Sequence, residues 1–496
     1  MNGTFWAMVP PLLAIIISLI TKEVNLSLLI GILVGAGIFT GFNPFSMIST
    51  SFDVMANKVH GNMGVLIFIV LLGMIVYLMN LSGATHRYAQ WAGRRITSRR
   101  QTLLATMALG IIIFVDDYFN CLTVGTVMGP IADRNKISRE KLAYIIDCTA
   151  APICIIAPIS SWAAAVTSSL PDGSAIDGFK LFLQAIPYNF YSLFTLALIL
   201  ITSILAVDFG KMRRYELEAR ARQIVQEAEQ EQEQARGKVV DLILPIVGLV
   251  VFSLIAMLYT GGFFDGGMTI GAAFADCDAI MGLAMGAFYT VILMAILYLP
   301  RKIVTPKVYL DGLVQGFVHM VPATLILVFA WTLGGICGGE YLDAGGFVAR
   351  LVSDHNVTLN MMPAIFFLVA IVLSFSTGTS WGTFAIMLPI AVSVIGDELT
   401  PLMALTTAAV LGGSVCGDHL SPISDTTILS STGAGCVHIN HVESQLPYGA
   451  LVAAVSFACY LFAGFVTISA WVSLAIGIVV ELLLAILLKA RYAKAK

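Results

Sequence analysis

The feature that most restricts what this chain can become is a recurrence of apolar runs, each near 20 residues, along almost its whole length. A helix of about 20 apolar residues matches the roughly 30 Å hydrocarbon layer of a bilayer. Clear runs lie near 5–21, 25–42, 62–84, 140–166, 181–207, 239–260, 278–300, 318–338, 400–434, 447–468 and 470–488. Of 496 residues only 11% are charged and 58% are hydrophobic, whereas a soluble domain carries about 25% charged residues. A water-facing surface cannot be built from such a chain. The expected fold class is therefore an all-α polytopic membrane protein with about 11 spans. The run from Phe5 to Ile20 has no basic region before it and no small-residue cleavage site, so it reads as a retained span. A net charge of −3 argues against a nucleic-acid partner. The eight cysteines form no CxxC pair and read as small core residues. No HExxH occurs and no Ser/His pair has a convincing setting, so an enzyme is not expected.

Two further apolar stretches, 101–132 and 360–396, carry polar residues at their middle. Basic residues mark cytoplasmic loops, and they decide how these stretches run. Arg87, Arg94, Arg95, Arg99 and Arg100 precede the first; Arg134, Lys136, Arg139 and Lys141 follow it. With both flanks on one side, the segment between them must enter and return as a re-entrant hairpin. The second stretch is flanked by loops nearly free of Lys and Arg and should enter from the other side. Threaded this way, 24 of 27 basic residues fall inside, with the N-terminus outside and the C-terminus cytoplasmic in a bacterial inner membrane. Residues 208–238 are strongly polar, rich in helix formers and alternating in charge. They read as a solvated cytoplasmic helix joining an N-terminal half, 1–207, to a C-terminal half, 239–496.

The halves share ordered matches. Met128-Gly-Pro-Ile-Ala132 and Pro158-Ile-Ser160 in the first correspond to Met387-Leu-Pro-Ile-Ala391 and Pro422-Ile-Ser424 in the second. The deduced sidedness gives the copies opposite orientations, so the expected plan is an inverted repeat: hairpin 101–132 with broken helix 140–166, then hairpin 360–396 with broken helix 400–434. Carriers of this plan bind their cargo near the midplane, where interrupted helices free backbone groups in a protein-lined cavity.

Four polar clusters lie inside apolar segments. Asp116, Asp117 and Asn120 stand at the first hairpin's tip; adjacent carboxylates there are costly unless paired, protonated or cation-bound. Ser376, Thr377, Thr379 and Ser380 stand at the second tip, where hydroxyls suit a hard monovalent cation and also cap half-helices. Asp147 and Thr149 precede Pro152 and Pro158, which should break their span; Asp147 is either a ligand or merely near the cytoplasmic end, and Trp162 reads as an anchor or packing element. Last, Asp418, His419, Ser421, Ser424, Asp425 and Thr426 surround a break expected at Gly417 and Pro422. His438, His441 and Glu443 read as exposed residues of a cytoplasmic loop, and Glu481, alone in the last span, is given no role.

At FVDDYFN, TAAPICIIAPISSW, STGTSWGTFAIMLPIA and above all GDHLSPISDTTILSSTGAG the sequence resembles the NhaC-type sodium/proton antiporter family, within a wider superfamily of inverted-repeat carriers. The resemblance implies a homodimer in which a scaffold holds a moving domain, as in elevator-type carriers. It also implies exchange of sodium for protons, with Asp116, Asp117, Asp418 and Asp425 as cation or proton sites, His419 tuning them and the hydroxyls supplying neutral oxygens. Sodium and protons are then transported species, and no resident cofactor is expected. Relatives of this kind also move amino acids or carboxylates, so an organic solute is the alternative cargo; a larger cavity between the hairpin tips would favour it.

Overall fold

A computed structural model describes residues 3–21, 23–93, 95–114, 116–158, 160–170, 174–221, 237–344, 346–347, 358–466 and 469–493, and among them every regular element is helical. Six helices are long and apolar enough to cross a membrane singly, and eight if two bent pairs each count as one. Seven of the eight fall on expected spans. The eighth, Leu359–Thr377, is the first arm of the second expected hairpin.

The first helices are α1 (Val9–Thr21), α2 (Val24–Thr40), α3 (Pro44–Gly61) and α4 (Met63–Leu81). The segment 43–61, to which the sequence assigns no span, forms α3. Asn43 caps it by accepting the Phe45 and Ser46 N–H groups, and Pro44 at the first position needs no hydrogen bond. The chain bends by 118° between α2 and α3. That turn leaves Phe45, Ile48 and Phe52 exposed on α3. Together with α14 (Val240–Thr260), α16 (Ala279–Tyr298) and α17 (Pro306–Ile336), these helices make one packed group in which α17 lies against α2, α3 and α4. The helix of the expected 318–338 span begins 12 residues earlier than its apolar run, because Thr305 caps it and Pro306 opens it.

The second group begins with α6 (Arg99–Ile112) and α7 (Asp117–Arg134), separated by a non-helical turn. The 14 residues of α6 rise only about 21 Å, too short for a bilayer. The next expected span is broken twice, into α8 (Arg139–Asp147), α9 (Ala151–Cys154) and α10 (Ser161–Ser168); Pro158 lies in the second interruption, whereas Pro152 is the second residue of α9. In the C-terminal half, α18 (Met362–Thr377) and α19 (Ser380–Ile395) meet at Gly378, and α20 (Pro401–Leu420) and α21 (Asp425–Ala434) flank residues 421–424. Pro422 lies in that break as expected. Gly417 does not: it sits inside α20, where an added Cβ would lie 2.4 Å from the Ile371 carbonyl oxygen, so it serves close packing on α18. The proline of each repeated Pro-Ile-Ser lies in a break, and each serine, Ser160 and Ser424, is the N-cap of the helix that follows.

The group closes with α12 (Phe190–Leu205), α22 (His438–Phe465) and α23 (Ala470–Ala493). Of the polar linker, Gly210–Ala221 is helical and 222–236 lies outside the described residues. The helical part is not wholly solvated: Glu216 is buried, ion-paired with Arg99 and accepting the Ser138 N–H at 2.8 Å. Glu481 of α23 is fully buried, and neither of its oxygens has a hydrogen-bond partner among the described residues. All eight cysteines are free.

Candidate functional site

Three of the four carboxylates are held at helix starts, and Asp418 lies in the last turn of α20. Asp116 is the N-cap of α7, accepting the Phe119 N–H at 3.0 Å, and Asp117 is the first residue of the helix. Asp425 likewise opens α21 behind the cap Ser424, and takes the Thr426 N–H at 2.9 Å. The positive end of a helix dipole favours a carboxylate by about 0.3–1 kcal/mol or more when partly buried, which lets the sequence place charge inside apolar surroundings. Asp116, Asp117, Asp418 and Asp425 are all at most 4% exposed.

Their side-chain partners come from the opposite elements. Ser161 of α10 donates to Asp116 Oδ2 at 3.1 Å, and Trp162 Nε1 donates to Asp117 Oδ2 at 3.1 Å. The expectation that Trp162 only packs or anchors therefore changes: it is buried and holds a carboxylate. Tyr118, between the first tip and the second broken helix, donates to Asp425 Oδ2 at 2.6 Å. This bond was not expected from sequence, although Tyr118 lies within FVDDYFN. Asp418 is held separately, with Ser380 at 2.9 Å and Thr426 at 3.0 Å from Oδ2, while its Oδ1 has no partner. No Lys or Arg pairs with any of these four among the described residues, and no three His, Cys, Asp or Glu side chains gather as a metal-binding group. The four do not make one chelating set. A sodium ion here would rest on one or two carboxylates plus hydroxyl and carbonyl oxygens.

Other expected residues have different places. Asn120 Nδ2 faces the carbonyls of Gly110, Ile113 and Thr149, at 2.7, 2.8 and 3.0 Å. It braces the hairpin break, and its Oδ1 remains unpartnered. Thr149 bonds back to Ile145 O at 2.7 Å, Ser376 to Val372 O at 2.7 Å and Thr377 to Leu373 O at 2.8 Å. Thr379 is the N-cap of α19, Ser421 donates to Phe375 O at 2.8 Å, and Ser424 accepts from Thr427 N. These hydroxyls serve the helix ends first. His419 turns to the Tyr191 hydroxyl, 3.1 Å from Nδ1, and is not joined to the Asp418 carboxylate.

A second buried set lies behind α21. Asp147 Oδ2 accepts from Gln445 Nε2 at 2.6 Å and lies 3.3 Å from His441 Nε2. The histidines expected in an exposed loop instead sit in the first turns of α22: His441 is fully buried, and His438 Nε2 lies 2.7 Å from the Pro422 carbonyl in the break. Only Glu443 keeps a surface role, ion-paired to Lys211. The spacing His438–His441–Gln445, three and four residues apart, places all three on one helix face and was the available signal.

Between the starts of α7, α19 and α21 and the α3–α4–α17 group lies a cavity of about 450 Å³, whose walls include Asp116, Asp425, Thr379, Trp381, Trp331 and Lys58. The helices α4 and α16 both start beside it, at Val65 and Ile280, and run away towards the basic turns at Arg87 and Arg301. It therefore lies at the end of these helices away from the basic turns.

Interrupted helices that meet around buried carboxylates inside a multi-pass helical bundle are the build of a secondary transporter. Residues 164–465, more than half of the chain, match the Na+/H+ antiporter family, and the chain belongs to that family. An uncharacterised protein of Haemophilus influenzae is 36% identical over 483 residues, covering 94% of this chain and 92% of its own. The malate-2H(+)/Na(+)-lactate antiporter of Bacillus subtilis is 34% identical over 27% of this chain and 28% of its own. The arginine/ornithine antiporter of Halobacterium salinarum is 28% identical over 45% and 41%. The protein is a multi-pass secondary transporter of an antiporter family.

Proposed function

We propose that this transporter exchanges sodium for protons at the carboxylates between the hairpin tips and the broken helices. One observation carries the reading: Asp116, Asp117, Asp418 and Asp425 are buried without a basic partner among the described residues. A carboxylate in such a place needs neutralising, and a proton or a sodium ion does this equally well but not at once. Mutually exclusive occupancy couples the two fluxes. Reconstitution into proteoliposomes with an internal pH dye tests it: a sodium pulse moves protons without added solute, and silence under both directions of gradient removes the reading. In the same proposal the C-terminus is cytoplasmic, the protein is a homodimer in a bacterial inner membrane, and the hairpin group moves against the α3–α4–α17 group.

Trp162→Phe keeps the ring but removes the indole donor from Asp117. A hydrogen bond to a charged group contributes about 1.5–3 kcal/mol, so the sodium half-saturation should shift by about tenfold or more. Dye-reported exchange at graded sodium reads it, and an unchanged half-saturation takes Trp162 out of the site.

The cavity favours a second reading, in which an organic solute travels with these ions. At about 450 Å³ it falls within the range of small-molecule sites, roughly 300–1,000 Å³. The names of the Bacillus and Halobacterium relatives support solute cargo in the same family.

A further inference from the structure

Resting on that second reading, we propose that the cavity takes a small organic carboxylate and that Lys58 is the group that holds its anionic end. The cavity is far larger than a sodium ion needs, since a water molecule takes about 30 Å³ of liquid. Its walls are bipolar. Asp116 and Asp425 form one side, suited to a cation or an ammonium group; Lys58, on α3, is the basic side chain of the lining.

Lys58 is an exposed residue, and three observations tie it to the cavity. Of the three basic residues on the face opposite the cytoplasmic loops, Lys58, Lys180 and Arg350, Lys180 ion-pairs with Asp177 at 3.1 Å and Arg350 lies outside the described residues. The Lys58 ammonium has neither an ion pair nor a hydrogen bond among the described residues. Its stem lies across Gly335 of α17, where an added Cβ would stand 2.6 Å from Lys58 Cε, so a glycine opens the slot along which it reaches the cavity. Finally, the wall it faces offers further anion donors. Helix α19 starts at the cavity with Thr379, Trp381 and Gly382 in the lining and no acidic residue in its first turn, unlike α7 and α21. An ammonium on one wall, facing a helix N-terminus that shares the opposite wall with the carboxylates, recognises a solute that is anionic at one end and polar or cationic at the other. Because Lys58 belongs to the α3–α4–α17 group and the carboxylates to the hairpin group, such a solute bridges both.

The test uses purified full-length protein at fixed pH and ionic strength. Thermal midpoints are measured in choline chloride, in sodium chloride and, at the same sodium concentration, with L-lactate, L-malate or lactamide added, for wild type, Lys58→Gln and Lys58→Arg. Wild type should be stabilised by sodium chloride over choline chloride, and further by lactate or malate but not by lactamide. Lys58→Gln should keep the sodium response and weaken the carboxylate's apparent affinity by about tenfold or more, with Lys58→Arg restoring part of it. A full carboxylate response in Lys58→Gln overturns the assignment of Lys58. A sodium response without any carboxylate response in wild type overturns the carboxylate proposal while leaving ion exchange standing. Loss of the sodium response itself in wild type sinks the ion-exchange reading instead.

Discussion

Asp425→Asn should abolish sodium-driven proton movement while the protein remains folded and monodisperse. The side chain keeps its size, and one of its two contacts, from the Thr426 N–H at 2.9 Å and the Tyr118 hydroxyl at 2.6 Å, can still be made to the remaining oxygen. The lost acceptor costs about 1 kcal/mol, and removing a buried charge offsets part of it. Stability therefore changes little. Function changes greatly, because a neutral amide at the start of α21 has no charge for sodium or a proton to compensate. Loss of charge-assisted binding alone weakens cation affinity by about 10- to 100-fold, and loss of competition between the ions uncouples what flux remains. Dye-reported exchange reads the loss of function, and thermal unfolding of the purified variant reads the small change in stability. Wild-type turnover in this variant would take Asp425 out of the mechanism.

Gly125→Ala should separate two helices and lose both stability and transport. The backbones of α7 and α21 touch at a glycine pair: a Cβ on Gly125 would lie 2.2 Å from Gly433 C and 2.4 Å from its O, and one on Gly433 would lie 2.3 Å from Cys121 O. The obstructing atoms are backbone, so no rotamer relieves the clash. Van der Waals contact for carbon is about 3.5–4.0 Å, and the helices must part by about 1 Å. Overpacking of this kind costs about 1–3 kcal/mol. The same movement stretches the Tyr118–Asp425 hydrogen bond, which crosses between these two helices. A lower thermal midpoint together with reduced exchange is the expected result. Gly61→Ala is the control, since a Cβ there meets nothing within 4 Å. If Gly125→Ala matches that control in both readouts, the close crossing does not position the site.

Much of the frame was legible beforehand because membranes impose a coarse code. Apolar run length and prolines within apolar runs placed most of the spans, the interruption between α6 and α7 and the break at Pro422. The positions of Gly417, His438 and His441 were misread for a common reason. Periodicity around glycine and histidine is ambiguous: a glycine in an apolar run serves a break or a close crossing equally well, and only the approach of the Ile371 carbonyl decides between them. The two histidines look solvated in sequence because they follow a glycine-rich turn. In fact α22 begins at His438 and turns their face inward to Asp147 and Pro422. The helix α3 was missed because it is amphipathic and lies outside the apolar runs.

What the chain determined by itself was an all-helical membrane bundle with carboxylates at interrupted helices, since hydropathy and backbone hydrogen bonding leave no other home for such runs. Which carboxylates share a partner, which histidine meets an aspartate and which lysine faces the cavity were decided by tertiary structure alone. Those contacts join residues hundreds of positions apart, such as Tyr118 and Asp425, and depend on crossings of a few ångströms that no local pattern encodes.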